Sequence, residues 1–373
     1  MAASVPKLFQ PRDIGHLKLK HRVVLAPLTR YRSSNPGHVP LLPMMKEYYT
    51  QRASTPGTLL ITEATFIAAC AGGYPHVPGI WSEEQVAAWK EITESVHAAG
   101  SYFFLQLWAL GRAASPGQLR KEDPRFPYVS ASDVKLASQK ETPRPLTVPE
   151  IKEYIELYAQ AARNALRAGF DGVEVHGANG YLIDQFTQDV SNHRTDDYGG
   201  TPENRCRFAL QVLDAVSNAV GADRTGIRLS PWSTFQEMGM DDPKPTFAHL
   251  VSQIKKSHPD LAYLHVVEPR ISGDKDNTRH NETSNDFIHE IWAPNTLITA
   301  GGYTRETAIE RAEETNGLIA FGRQFLANPD LPVRLMKNVP TNVPDRKTFY
   351  RAASATGYTD YPFAGQGELK AKA

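Results

Sequence analysis

The chain has 373 residues, 41% of them hydrophobic and 22% charged, with 41 Lys and Arg balanced by 41 Asp and Glu. That composition belongs to a folded chain long enough to bury a large core, and a net charge of zero offers no field for nucleic acid, a membrane surface or a polyanion. Two cysteines, Cys70 and Cys206, far apart and outside any CxxC spacing, argue against a disulfide framework or a thiolate metal site. Residues 1–15 lack an apolar signal segment, and no apolar run approaches the ~20 residues of a spanning helix. The 369–373 tail carries no lipidation or peroxisomal signal. A cytoplasmic chain is expected, in which the Asn281-Glu282-Thr283 sequon is inert.

In chain order, a first apolar run at 22–26 leads into Pro27, Leu28 and Thr29. A second, 58–62, leads into Glu63 and Ala64. Trp89, Ile92 and Val96 then form the stripe of a helix over 82–99, stopped by Gly100. The third run, 102–107, carries Gln106 near its end. It is followed by 108–149, rich in Pro and Ser, read as an insertion. Ile151, Ile155, Tyr158, Ala162, Ala165 and Leu166 predict a helix over 150–168, with Thr147 as its cap, Pro149 at its start and Gly169 at its stop. The fourth run, 172–175, leads into His176, Asn179 and Tyr181, and a helix over 202–219 follows. Arg228 lies in the fifth run, 225–229. The sixth, 261–266, precedes a charged loop at 268–284. Gly301-Gly302 follow the seventh run, 297–300, and a helix is expected over 304–314. Gly322-Arg323 follow the eighth run, 318–321.

Short runs that are apolar on both faces suit parallel strands covered on each side. Eight of them, alternating with helical stretches, predict one α/β domain over 1–373. It is a (β/α)8 TIM barrel with an insertion after strand three; a doubly wound sheet is the alternative. In a barrel the polar residues past the strand ends share one mouth, where long loops act as lids or specificity elements.

Each cluster has a functional and a bland interpretation. Gly301-Gly302 alone are ordinary turn glycines; beside Gly322 and the forked cation of Arg323 they suit a phosphate. No strand-linked GxGxxG marks a Rossmann site. His176 and Asn179, three apart on one helical turn, can both donate to one carbonyl oxygen, and Tyr181 can deliver a proton. The bland alternative is a core histidine and an Asn-Gly turn. A buried Arg228 needs an anion: Glu63, Asp184 or an electron-rich flavin ring. Gln106 either reads the edge of a heterocycle or bridges backbone groups. A zinc-dependent barrel hydrolase could use His176 and His265. It lacks an H-x-H on strand one and an Asp after strand eight, so no metal is expected.

Taken together, Ala26-Pro27-Leu28-Thr29-Arg30, Gln106-Leu107-Trp108, His176 to Phe186, Asn192-His193-Arg194, Tyr198-Gly199-Gly200, Glu203-Asn204-Arg205, Arg228-Leu229-Ser230-Pro231 and Phe321-Gly322-Arg323 carry a resemblance. The chain resembles the fungal branch of the Old Yellow Enzyme family of FMN-dependent ene-reductases over nearly its whole length. More loosely, it is similar to fungal alkaloid-pathway chanoclavine aldehyde reductases. The resemblance implies a flavoprotein in which NADPH or NADH reduces FMN and the C=C bond of an α,β-unsaturated aldehyde or ketone is then reduced, with a place in fungal secondary metabolism. It further implies that Thr29 bonds the flavin O4, that Pro27, Leu28 and Ala64 line the isoalloxazine, and that Gln106 binds the pyrimidine edge. Arg228 would stabilise the anionic reduced ring. Gly301, Gly302, Gly322 and Arg323 would hold the phosphate. Phe349 and Tyr350 would close over flavin and substrate, and Trp108 would shape the substrate pocket. His176 and Asn179 would grip the carbonyl and Tyr181 protonate the α-carbon; a Phe there would favour double-bond isomerisation. The alternative within the family is a flavin-bound isomerase, or a pathway partner with no turnover of its own. Gly302 stands where many relatives have Asn. A small-molecule partner and a monomer or homodimer are expected.

Overall fold

The computed structural model describes residues 5–273 and 283–365, with the backbone of 275–276. Asn281 and Glu282 of the sequon, much of the 268–284 loop and the 369–373 tail lie outside the described residues. Each of the eight apolar runs forms a strand: β1 (Val23–Leu25), β2 (Leu59–Ile61), β3 (Tyr102–Trp108), β4 (Gly172–Gly177), β5 (Thr225–Leu229), β6 (Tyr263–Val267), β7 (Leu297–Ala300) and β8 (Leu318–Phe321). Each pairs in parallel with the next. β8 returns to β1, with Ile319 opposite Val23 and Phe321 opposite Leu25. The ring is therefore closed, which excludes the doubly wound sheet with its two free edges.

Burial on both sides makes these runs strands. Val23, Leu60, Leu105, Val175, Ile227, Val266 and Ile319 pack outward against helical residues such as Trp89, Tyr158, Leu213 and Leu250. Val24, Leu59, Phe104, Tyr263, Ile298 and Leu318 fill the lower interior. A short hairpin, Arg12–Ile14 with Leu17–Leu19, adds Ile14, Leu17 and Leu19 to that inner cluster. Its tip, Gly15, has φ +50°, and a Cβ there would stand 2.0 Å from the Asp223 carbonyl oxygen.

The main helices between the strands are α1 (Met44–Arg52), α2 (Glu83–Ala98), α3 (Val148–Arg167), α4 (Pro202–Val220), α5 (Lys244–Ser257), α6 (Asp286–Trp292) and α7 (Arg305–Thr315), with α8 (Leu331–Lys337) after β8; short helical turns at Leu182–Thr187 and Arg323–Ala327 follow β4 and β8. Reciprocal capping boxes start α2 at Ser82 and Gln85 and α3 at Thr147 and Glu150. Such caps contribute about 1 kcal/mol each. Trp108 belongs to β3, so the insertion begins one residue later than expected. It holds a short helix, Pro116–Glu122, and a parallel pairing of Val129–Ser130 with Arg144–Pro145.

Two buried arginines of the loop after β1 fasten the C-terminal segment across the barrel. Arg30 Nε donates to the Phe349 carbonyl at 3.1 Å and its Nη2 to that of Gly357 at 2.8 Å. Arg32 reaches the carbonyls of Ser354, Phe349 and Thr348 at 2.9, 2.8 and 3.1 Å. The guanidinium carbons lie 5.0 and 4.8 Å from the Tyr358 ring. Arg32→Met keeps the stem and strands several carbonyls. It is expected to cost about 3 kcal/mol of stability and to open the chain near residue 350 to protease. An unfolding midpoint and a cleavage pattern that both match the parent would count against this fastening.

Candidate active site

The C-terminal ends of the strands open into a cavity of about 860 Å³, within the range of cofactor sites. Pro27, Leu28 and Thr29 line it from the loop after β1, Ala64 from the turn after β2, and Gln106 and Trp108 from β3. His176 of β4, Asn179 and Tyr181 beyond it, and Arg228 of β5 form the next stretch of wall. Gly301, Gly302, Gly322 and Arg323 line the part past β7 and β8, and Phe349 and Tyr350 the mouth. Phe235, Tyr303 and a wall from Asn338 to Thr341 also line it. Nothing in the sequence marked these, because their loops have no period to follow.

The helical turn expected for His176 and Asn179 is absent. His176 is part of β4, and Asn179 sits in a tight loop at φ 57°, a left-handed conformation that Asn tolerates. The loop is pinned from below. The Asn179 N–H donates to Ser230 Oγ at 2.8 Å, and the Gly180 N–H to Asp184 Oδ2 at 2.8 Å. Burial pushes the Asp184 carboxyl up to about 6. The Ala178 N–H donates to His176 Nδ1 at 3.3 Å. The neutral ring therefore carries its proton on Nε2, as a donor for the cavity. Burial, with Arg228 and His265 nearby, holds the His176 pKa well below its ordinary value, so the ring stays neutral. Burial likewise holds the Tyr181 phenol well above its usual value and protonated. The Tyr181 ring centroid is 5.0 Å from that of His176 and 4.7 Å from that of Trp108.

Arg228 pairs with neither expected carboxylate. Glu63 accepts the Arg30 N–H at 3.2 Å, and Asp184 serves the loop above. The anion facing Arg228 is Glu174, fully buried one strand away. Its Oε1 accepts Gln106 Nε2 at 2.7 Å and its Oε2 accepts His265 Nδ1 at 2.8 Å. Burial pushes the Glu174 carboxyl up, but His265, Arg228 and Gln106 together bring it below the usual range. Sequence reasoning missed Glu174. The signal was present: a carboxylate two residues before His176 in a run that is otherwise apolar.

At the other end of the cavity, Gly301 has φ +147°, and a Cβ there would stand 2.9 Å from Glu268 Cβ. Gly302, at φ +65°, has space beside it, the nearest atoms being Ile271 Cδ1 at 3.6 Å and Arg270 Nε at 3.9 Å. Arg270, also missed, donates to the Gly301 carbonyl and lies 4.1 Å over the Tyr303 ring.

Residues 7–342 match the NADH:flavin oxidoreductase / NADH oxidase family. The chain belongs to that family. Among curated relatives it is 51% identical to chanoclavine-I aldehyde reductase fgaOx3 of Penicillium roqueforti, over 96% of this chain and 97% of that one. It is 48% identical to a protein named probable inactive reductase easA, of Epichloe festucae var. lolii, over 97% and 96%. Among solved structures, the Old Yellow Enzyme of a Pichia species superposes with a TM-score of 0.89 at 37% identity, over 97% of this chain and 94% of that one.

A flavin oxidoreductase of this family carries FMN and draws electrons from NAD(P)H. The cavity fits that cofactor. Arg228 Nε is buried with no protein partner among the described residues. The glycine backbone past β7 and β8 can approach a phosphate. No three His, Cys, Asp or Glu side chains among the described residues come together as a metal site. His265, proposed as a ligand in the zinc alternative, spends Nδ1 on Glu174.

Glu63, behind Ala64, gives a pH test. Burial raises its carboxyl from 4.5 to about 7. Between those values the folded chain holds a proton that the unfolded chain has lost. The associated stability is full below the lower value and is lost as pH rises through the upper one. Glu63→Gln mimics the protonated form and keeps an acceptor for the Arg30 N–H. The variant should gain up to about 3 kcal/mol on the parent between pH 4 and 8. A urea-unfolding difference that does not change with pH would refute this.

Proposed function

We propose that the chain is an NAD(P)H-dependent ene-reductase acting on the C=C bond of an α,β-unsaturated aldehyde or ketone in secondary metabolism. The observation that carries this is His176, Asn179 and Tyr181 together in the cavity wall, with His176 Nδ1 occupied as an acceptor, which leaves Nε2 as the donor of the neutral ring, and with the Tyr181 phenol protonated. The two donors grip the substrate carbonyl oxygen and draw electron density from the β-carbon. FMN, when bound here, would supply the two-electron chemistry that links NAD(P)H to the C=C bond. Tyr181 gives its proton to the α-carbon and is reprotonated from solvent. The residues of the cavity wall would hold the flavin. Thr29, Pro27, Leu28 and Ala64 would hold the ring system, Gln106 and Arg228 its pyrimidine side, and Gly301, Gly302, Gly322 and Arg323 the phosphate. Trp108, Phe349 and Tyr350 bound the substrate. The name of the Penicillium relative supports an aldehyde substrate. We further propose one catalytic unit working in the cytoplasm, as a monomer or homodimer, on small molecules alone.

The name of the Epichloe relative speaks for a second possibility, a chain without turnover of its own; the Tyr181 phenol argues against it. Tyr181→Phe should leave reduction of bound FMN by NADPH intact while slowing enone reduction about 10²-fold; undiminished enone turnover would remove Tyr181 from the mechanism. A phenol added to the yellow protein should give a long-wavelength charge-transfer band. His176→Ala should weaken phenol binding; equal affinity in parent and variant would dismiss the oxyanion role. Gln106→Leu should weaken FMN binding about tenfold, the worth of one buried hydrogen bond, read by quenching of flavin fluorescence on titrating the apoprotein.

A further inference from the structure

We propose that Glu174, in the cavity floor, is a positioning residue. It fixes which face Gln106 presents to the flavin, and its charge sets how strongly the site favours reduced over oxidised FMN. This rests on Gln106 and Arg228 being flavin contacts.

The geometry is that of a closed polar layer. Glu174 has no exposed surface, and groups from three strands converge on it. Gln106 of β3 donates at 2.7 Å and His265 of β6 at 2.8 Å. Arg228 of β5 acts on it electrostatically, and burial and this carboxylate hold the nearby Tyr263 phenol of β6 well above its usual range. An ionised carboxylate only accepts. Gln106 must therefore turn one amide N–H down to it, which leaves the carbonyl oxygen and the second N–H for the cavity. A flipped amide would set oxygen against oxygen in a buried site, so Glu174 decides the orientation that Gln106 cannot decide alone. His265 must likewise carry its proton on Nδ1, and its Nε2 is buried with no partner among the described residues.

The charge has a separate effect. Arg228 lines the cavity, and its Nε has no hydrogen-bond partner among the described residues. The carboxylate one strand away offsets part of its field. A flavin that takes up two electrons gains negative charge, so an uncompensated Arg228 would bind the reduced form more tightly. Glu174 thus restrains the potential of the cofactor.

Glu174→Gln keeps the volume and can still accept from Gln106 while donating to the other His265 tautomer; only the charge is lost. The ratio of affinities for reduced and oxidised FMN should rise at least tenfold, about 30 mV towards positive for a two-electron couple, read against a reference dye. Glu174→Asp keeps the charge but retracts it by one methylene from Gln106. It should weaken both redox forms of FMN equally, by about tenfold, with little change in potential. A merely structural Glu174 predicts lowered melting temperatures with the potential unmoved, and that result in Glu174→Gln overturns the charge role. Unchanged FMN affinity in Glu174→Asp overturns the orienting role, and this variant decides the matter should Glu174→Gln not fold. If Gln106→Leu leaves FMN affinity untouched, the flavin assignment itself fails. If Gln106→Leu weakens FMN while Glu174→Gln leaves the potential alone, only the charge role fails.

Discussion

Arg228 can stand inside the barrel because Glu174 does. A lone guanidinium among strands would have to surrender its hydration for nothing. A lone carboxylate at the position of Glu174 would take up a proton instead. Together, with Gln106 and His265 using the remaining acceptor positions, they make a polar layer between the apolar lower interior and the open mouth. Above that layer His176 stays neutral, held so by its burial and by the positive field of Arg228. The site's electrostatics therefore rest on one buried anion, with the hydrogen-bonding loop at Asn179 and Tyr181 built on top.

The remaining wall comes from chain direction. Parallel strands present all their carboxyl ends at one face, so residues distant in sequence become neighbours there. Pairing of β8 with β1 sets the Pro27–Thr29 turn beside Gly322 and Arg323. The same turn continues into Arg30 and Arg32, whose guanidinium groups hold the carbonyls of the segment bearing Phe349 and Tyr350. One loop thus serves both the floor and the mouth.

The barrel was legible because each strand is apolar on both faces, a pattern that survives without tertiary information. Helices α2 and α3 were legible from stripes and end signals, and α4 and α7 as helical stretches between the strands. Helix α1 was not: it buries Arg52 along with Met45, Tyr48 and Tyr49, the guanidinium carbon lying 3.6 Å from the Tyr48 ring centroid, so its inner face does not read as apolar. Residues at strand ends announced themselves as polar side chains where apolar ones were due. The partner of Arg228 did not, because two carboxylates nearer the loop ends, Glu63 and Asp184, looked equally available. Only the register, which sets Arg228 against His176 and puts Glu174 two residues below, distinguishes them. The left-handed loop at Asn179 was hidden because a spacing of three residues fits a helix as well as a tight turn.

Ring closure also bears on how the protein is made. The first strand leaves the ribosome almost 300 residues before the last, its partner on one side. At typical elongation rates that is an interval of roughly 15–60 s. For all that time one edge of Val23–Leu25 has no neighbour, an exposed apolar edge of the kind chaperones cover. The Pro27–Thr29 turn beside it waits just as long for Gly322 and Arg323. The cavity wall that joins the two ends of the barrel is therefore completed only close to the end of synthesis.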